Sequence, residues 1–291
     1  MNKNKLISKL EKDKIIVGDG AMGTLLQNRG LDSGEAPEKW NLTHPEEILS
    51  IHQDYIVAGA DLLETNTFGG NYVRLKESEL EDKIEEINKT AVELAKKAGK
   101  KETIISGSVG PTGKMIKPLG VLSQTKALES YKKQISILVQ NEVDAIQIET
   151  MVDLNEIEQA LKAASQFEIP VIAQINFQES GATVMGHDIS DSVELLKKYD
   201  VTVIGINCTP GAKKTLPLIR KLNQTTDKPL SVFPNAGEPE LKEGEVTYPE
   251  GPEDFKPYVS KYINNNVKIM GGCCGTTPEV IAAIKKQVNH N

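Results

Sequence analysis

With 291 residues, 38% of them hydrophobic and 26% charged, the chain is long enough to bury a large core, and no homopolymer, Pro-rich tract or single-sign charge run would keep it unfolded. A formal net charge of −7, from 34 Lys and Arg against 41 Asp and Glu, argues against nucleic acid or an anionic membrane as its main partner. No apolar run is long enough to span a bilayer, and the basic N-terminus MNKNKLISKLEKDK has no signal-peptide core, so a cytoplasmic protein is expected.

Residues 1–12 read as a short N-terminal extension to one domain covering 1–291. The first Val- and Ile-rich run, 15-IIVGD-19, predicts a strand, and helical periodicity follows over Pro45–Ala58. The alternation then repeats. Strand 61-DLLETNT-67 precedes a helix over Glu79–Ala98, strand 103-TIISGSVG-110 one over Gln124–Gln140, and strand 145-AIQIET-150 one over Leu154–Phe167. Strand 171-VIAQINF-177 is followed by a helix at Asp191–Tyr199, and 203-VIGINC-208 by one at Lys213–Leu222. Strand 230-LSVFPN-235 leads through a long loop, Asn235–Gly251, to a helix at Glu253–Asn264, and 267-VKIMGGCC-274 leads to the last helix, Pro278–Val288. Nearly continuous apolar character marks strands covered on both faces of a parallel sheet. Eight βα units in one domain-sized chain predict an α/β fold, a single (β/α)8 TIM barrel, with an open doubly wound sheet as the alternative.

Polar residues gather at the C-terminal ends of these runs, the face on which barrels build their sites. Asp19 closes the first, Glu64, Thr65 and Asn66 the second, Glu149 and Thr150 the fourth, and Asn176 the fifth. Asn207 and Cys208 close the sixth, Asn235 the seventh, and Cys273 and Cys274 the eighth. One Asn or Thr at a strand end is ordinarily a turn former or a helix cap; a whole ring of polar residues on one face is a site.

The three cysteines cannot be fully paired, and in a reducing compartment they suit a metal better than a disulfide framework. Neighbours in a strand point to opposite faces, so Cys273 and Cys274 share an ion only where the backbone leaves strand geometry, a freedom that Gly271, Gly272 and Gly275 supply. Three protein ligands with a fourth position open is the pattern of catalytic zinc, and thiolate softness favours Zn2+ over other metals. Three thiolates plus an incoming thiolate keep that sulfur electron-rich, so the site activates a nucleophile. A vicinal disulfide is the competing reading.

The turn 18-GDGAMG-23 matches the dinucleotide pattern G-x-G-x-x-G, but 34-GEAPEKWN-41 stands where that pattern needs a second strand ending in an acid. The turn Gly20, Ala21, Met22, Gly23 suits a carboxylate bound by backbone NH groups better than a nicotinamide cofactor. The four histidines, His44, His52, His187 and His290, form no ligand spacing.

Taken together, 19-DGAMGT-24, 59-GADLLETNTF-68, 109-VGPTG-113, 148-IETM-151, 206-INC-208, 234-PNAGEP-239 and 271-GGCCGTTP-278 resemble, in order and spacing, the homocysteine S-methyltransferase family, and most of all the homocysteine-binding module of cobalamin-dependent methionine synthases. The resemblance covers Ile15 to the last helix. It implies a barrel in which Cys208, Cys273 and Cys274 are the catalytic zinc ligands and homocysteine sulfur completes the set. Glu149 would hold the substrate ammonium; Asp19, Gly20–Gly23, Glu64, Thr65, Asn66 and Asn207 would line the amino-acid pocket; Asn235 would occupy the zinc when substrate is absent. No folate-binding, cobalamin-binding or D-x-H-x-x-G segment follows the barrel, which leaves the donor open; the motif wording favours a methyl-corrinoid, methylcobalamin held by a separate protein or module. S-methylmethionine or betaine, or a homocysteine-binding subunit inactive alone, are the alternatives.

Overall fold

A computed structural model describes residues 4–242 and 245–290 of the chain. Its strands are β1 (Ile16–Val17), β2 (Leu62–Glu64), β3 (Ile104–Val109), β4 (Ala145–Met151), β5 (Val171–Ile175), β6 (Val203–Asn207), β7 (Leu230–Phe233), β8 (Glu240–Lys242), β9 (Glu245–Thr247) and β10 (Val267–Met270). Eight of them form one parallel sheet in the order β1-β10-β7-β6-β5-β4-β3-β2. A parallel bridge from Gly18 to Leu62 joins its two edges. The sheet is thus the wall of a (β/α)8 barrel.

The helices Pro45–Ala58, Gln124–Gln140 and Pro278–Val288 coincide with their predicted bounds. Others move by a few residues: Ile84–Ala98, Leu154–Ala164, Ile189–Lys198, Gly211–Asn223 and Pro252–Ile263. Sequence periodicity overlooked short helices at Lys5–Leu10, Gly23–Asn28, Trp40–Thr43 and Tyr72–Glu77, each too short to display a period. The segment Asn235–Gly251, expected to be a plain loop, contains the antiparallel hairpin β8–β9.

The barrel interior is filled by one buried apolar residue from each wall strand: Ile16, Leu62, Ile104, Ala145, Ile172, Val203, Phe233 and Ile269. Leu6 of the first helix is fully buried in the same cluster. The helix Lys5–Leu10 thus packs into the end of the barrel. Asn4 caps it, accepting from the backbone NH of Leu6 at 2.9 Å and Ile7 at 3.3 Å, and Lys5 pairs with Asp144 at 3.1 Å. The outer faces of the strands pack beneath the helices in a second, larger apolar layer.

Above the apolar layer the interior turns polar. Gln147 Nε2 donates to Glu64 Oε1 and, at 3.2 Å, to Gln174 Oε1, while Gln174 Nε2 donates to Ser231 Oγ at 3.1 Å. Gly205 keeps that row open, because a Cβ there would stand 1.9 Å from Ser231 Oγ. The row crosses the barrel under its C-terminal mouth and supports what lies above.

Candidate metal and substrate site

The exit of β7 positions all three cysteines. Cys208 N donates to Phe233 O, Cys273 N to Pro234 O, and Ala236 N to Cys274 O, each at 2.9 Å. Cys208 itself turns out of β6 with φ of 56°, a left-handed conformation that is costly for a side chain bearing Cβ and is held only where the surroundings over-determine it. Asn176 does so, with its Nδ2 donating to Asn207 O at 3.2 Å and Cys208 O at 2.8 Å. Gly275, at φ of 77°, turns the chain after Cys274. Gly271 and Gly272 serve another purpose than positive φ: a Cβ on them would lie 2.6 Å from Asp19 O and 2.3 Å from Thr276 Oγ1.

The result is a compact trio of thiols. Cys208, Cys273 and Cys274 are all free, and their Sγ atoms lie within 4.8 Å of one another. Cys274 Sγ is 4.0 Å from both Cys208 Sγ and Cys273 Sγ. A tetrahedral zinc with Zn–S bonds of about 2.3 Å sets its sulfurs about 3.8 Å apart, so the trio fits zinc. A disulfide, at about 2.05 Å between sulfurs, does not describe it. Hydrogen bonds from Cys208 and then Cys273 bring the Cys274 thiol down to about 3, whereas contacts with Cys208 and then Cys274, with burial, push Cys273 up.

Beside the sulfurs is a carboxylate pocket. Asp19 Oδ2 accepts from Glu64 N at 2.9 Å, while Asp19 Oδ1 is buried with no partner among the described residues. Glu149 Oε1 accepts from Ser108 Oγ, and Glu149 Oε2 accepts from Asn207 Nδ2 at 3.1 Å. Burial raises all three carboxyls: Glu149 stands at about 7, and Glu64 is raised by burial and then by the charges of Glu149 and Asp19. Three acids so close cannot all ionise in a dry site without a cation. Among the described residues no cationic side chain pairs with these three carboxyls.

The two halves share a cavity of about 520 Å³ lined by Asp19, Glu64, Ser108, Glu149 and the three cysteines and opening past Phe68, Arg74 and Glu77. Residues 16–288 match the model of the homocysteine S-methyltransferase family. The chain belongs to that family. It is 31% identical to the methionine synthase of Mycobacterium leprae (strain TN), over 94% of this chain and 24% of that protein, and 31% identical to that of Mycobacterium tuberculosis (strain ATCC 25618 / H37Rv), over 93% and 25%. The chain therefore spans about a quarter of those relatives. The metallated form of the Escherichia coli homocysteine methyltransferase MmuM superposes with a TM-score of 0.83 at 26% identity, covering 98% of this chain and all of that one.

Within this homocysteine S-methyltransferase barrel, Asp19, Gly20, Ala21, Met22, Gly23, Glu64, Thr65, Asn66, Glu149 and Asn207 all line the cavity. Their groups are not equally available. Ala21 N is taken by Thr276 Oγ1 at 3.1 Å, Asn66 Nδ2 by Pro37 O and Asn41 Oδ1, and Thr65 Oγ1 by Thr67 Oγ1 and Ser108 N. Asn235 is buried off the cavity, with Oδ1 unpartnered and its side chain in contact with Cys208. Neither half of the dinucleotide pattern's second strand exists, since residues 37–43 are helical.

Ser108, Gln147 and Thr276 were missed by reading strand ends alone. Ser108 and Gln147 sit inside strands β3 and β4, where a polar residue in an apolar run was the available signal. Thr276 bridges the first turn and the last, donating to Cys273 O at 2.7 Å while accepting from Ala21 N. No helix among the described residues is long and apolar enough to cross a membrane.

Proposed function

We propose that this chain transfers a methyl group to the thiol of homocysteine, giving methionine, at a zinc ion held by Cys208, Cys273 and Cys274. The convergence of three sulfurs from β6 and the end of β10 beside a three-carboxylate pocket carries this reading. Zinc bound there would supply the Lewis acidity that keeps the homocysteine thiol deprotonated at neutral pH while its sulfur stays nucleophilic.

The chain's own residues do the rest. Glu149, fixed by Ser108 and Asn207, holds the substrate ammonium with Asp19 and Glu64 beside it, so that charge is neutralised on binding. The turn Gly20–Gly23 faces the substrate carboxylate, with Ala21 N already engaged. Held at one end by charge and at the other by sulfur, the amino acid presents its lone pair towards the cavity opening. The S–CH3 bond then forms as the donor–CH3 bond breaks, the electron pair leaving with the donor, and no general base is needed at carbon. The unpartnered Asn235 Oδ1 suits the fourth metal position when homocysteine is absent.

The donor in this reading is methylcobalamin on a separate corrinoid protein, in a reducing cytoplasm that keeps Cys273 and Cys274 from oxidising. Its support is the identity to methionine synthases together with the rim: among the described residues the exposed Met115, Leu119, Val121, Val184, Leu241 and Val246 sit on segments following C-terminal strand ends, while Val57, the most exposed, lies elsewhere, in the helix Pro45–Ala58. Exposed apolar groups around one mouth suit a macromolecular partner. The close match in length and fold to MmuM favours a second reading, a self-sufficient enzyme using a small sulfonium or ammonium donor.

The test is zinc analysis of the purified protein with and without homocysteine, then methionine formation with free methylcobalamin, S-methylmethionine and betaine. One zinc per chain and turnover with methylcobalamin alone is expected. Turnover with a small donor establishes the second reading, and a protein that binds neither zinc nor homocysteine overturns both.

A further inference from the structure

Two hydroxyls tie the glycine turn at one end of the pocket to the cysteine loop at the other. Thr276 Oγ1 accepts from Ala21 N at 3.1 Å and donates to Cys273 O at 2.7 Å. Tyr55, in the helix Pro45–Ala58, donates to Ala21 O at 2.8 Å, with Thr276 O alongside at 3.3 Å. Gly272 N donates to Asp19 O at 2.9 Å, and Gly275 N to Thr24 Oγ1 at 3.2 Å. Residues 19–24 are thus stitched to residues 272–276 along their length. The approach is close: a Cβ at Gly20 would stand 2.7 Å from Thr276 Oγ1 and 2.8 Å from the Tyr55 hydroxyl. Both side chains are fully buried, and neither lines the cavity.

We infer that Tyr55 and Thr276 are positioning residues that fix the span between the turn 20–23 and the sulfur trio, and so set the length of amino-acid thiol that the pocket accepts. The inference rests on the homocysteine reading above and deepens it to selection by chain length. A ligand held by its sulfur at one end and by its carboxylate at the other needs anchors at a matching separation. Cysteine is shorter than homocysteine by one carbon–carbon bond of about 1.5 Å, so it reaches one anchor or the other but strains to reach both. Such discrimination survives only if the anchors do not drift, since a misplacement of about 1 Å can cost about a hundredfold. Ala21 is gripped at both its NH and its C=O, and Cys273 at its C=O, so the turn and the metal end move as one unit. Each hydroxyl acts through that backbone and not on the substrate itself.

The experiment measures homocysteine and cysteine binding by calorimetry to the zinc-loaded wild type and to Tyr55→Phe, Thr276→Val and Thr276→Ser, with zinc per chain, homocysteine KM and kcat, and circular dichroism on the same preparations. Tyr55→Phe and Thr276→Val keep the shape and delete one hydroxyl each. In both, homocysteine binding should weaken about tenfold, the size of a lost buried hydrogen bond, with cysteine binding and zinc content nearly unchanged. The preference for homocysteine then falls by the same factor, and KM rises while kcat holds. Thr276→Ser, which retains the hydroxyl, should keep the wild-type preference. Should Thr276→Val fail to fold, Tyr55→Phe, which loses only one donor, decides the matter. Equal weakening of both thiols, loss of zinc in step with homocysteine, or a wild-type preference in Tyr55→Phe would overturn the inference and leave the proposed function standing. A wild-type chain that binds neither zinc nor homocysteine would instead refute that function.

Discussion

Asn207 Nδ2 donates to Glu149 Oε2 at 3.1 Å, and Asn207 is the residue immediately before Cys208. The same side chain accepts from Thr150 N at 2.9 Å and donates to Thr150 Oγ1 at 2.7 Å. Glu149, the proposed partner of the substrate ammonium, and the first sulfur are therefore held on one connection between β4 and β6. Glu149→Gln removes the charge and keeps the shape. It should raise the homocysteine KM about a hundredfold, since losing the partner of a buried charge costs about 3 kcal/mol, while zinc per chain stays at the wild-type value. Steady-state kinetics with metal analysis on one preparation checks both, and loss of zinc with an unchanged KM would reverse the assigned roles.

Homocysteine binding should also strengthen with pH. Burial holds Glu149 at about 7, so below that value it is protonated and offers the ammonium no charge. The sign follows: as pH rises from about 6 to 8 the carboxylate forms and the homocysteine KM falls. For the ligand-free protein the sign is opposite. A carboxyl raised by folding contributes stability below its unfolded value of about 4.5, and that contribution is lost as pH rises through about 7. The rise in melting temperature caused by homocysteine should therefore be larger at pH 8 than at pH 6 in the wild type, and flat across that range in Glu149→Gln.

Strand β4 and the helix Gln124–Gln140 could be read from the sequence because their own residues settle their form: 145-AIQIET-150 is buried on both faces, and the helix has a Ser123 cap and a full period. The trio of cysteines was legible for a different reason, since strand-end placement in a barrel fixes which face a residue reaches whatever its distance along the chain. What could not be read depends on partners elsewhere. Nothing within Lys5–Leu10 says that Leu6 enters the barrel, nothing in 235–251 pairs β8 with β9, and the spending of Asn66 on Pro37 and Asn41 is settled by a loop that the strand does not contain.

That first helix should be a stability element separable from the site. Leu6 is fully buried against the lowest ring of the barrel interior, so Leu6→Ala leaves a cavity and should cost about 3 kcal/mol. At roughly 2–4 °C per kcal/mol for a chain approaching this size, the melting temperature should fall by about 6–12 °C. Zinc content and the homocysteine KM should not change, as the residue lies at the end of the barrel away from the cysteines. A change in KM with little change in melting temperature would place the helix in the site after all.

His52, in the helix Pro45–Ala58, gives the chain an acid limit that the site does not share. It is fully buried, and neither ring nitrogen has a partner among the described residues. Burial lowers it to about 4, so the folded protein keeps the ring neutral while the unfolded chain takes up a proton near pH 6.5. Stability from this residue is complete above about 6.5 and is lost as pH falls towards 4, amounting to about 3 kcal/mol across that window. His52→Leu fills the site without a titratable group. Urea unfolding at pH 7.5 and pH 4.5 should show the wild type losing about 2.5 kcal/mol more than the variant between the two conditions, because every other titrating group is common to both. Equal losses in the two proteins would mean that His52 finds a proton partner in solution and sets no acid limit; the carboxyls of the mouth, raised by burial, favour the folded chain as pH falls and set none either.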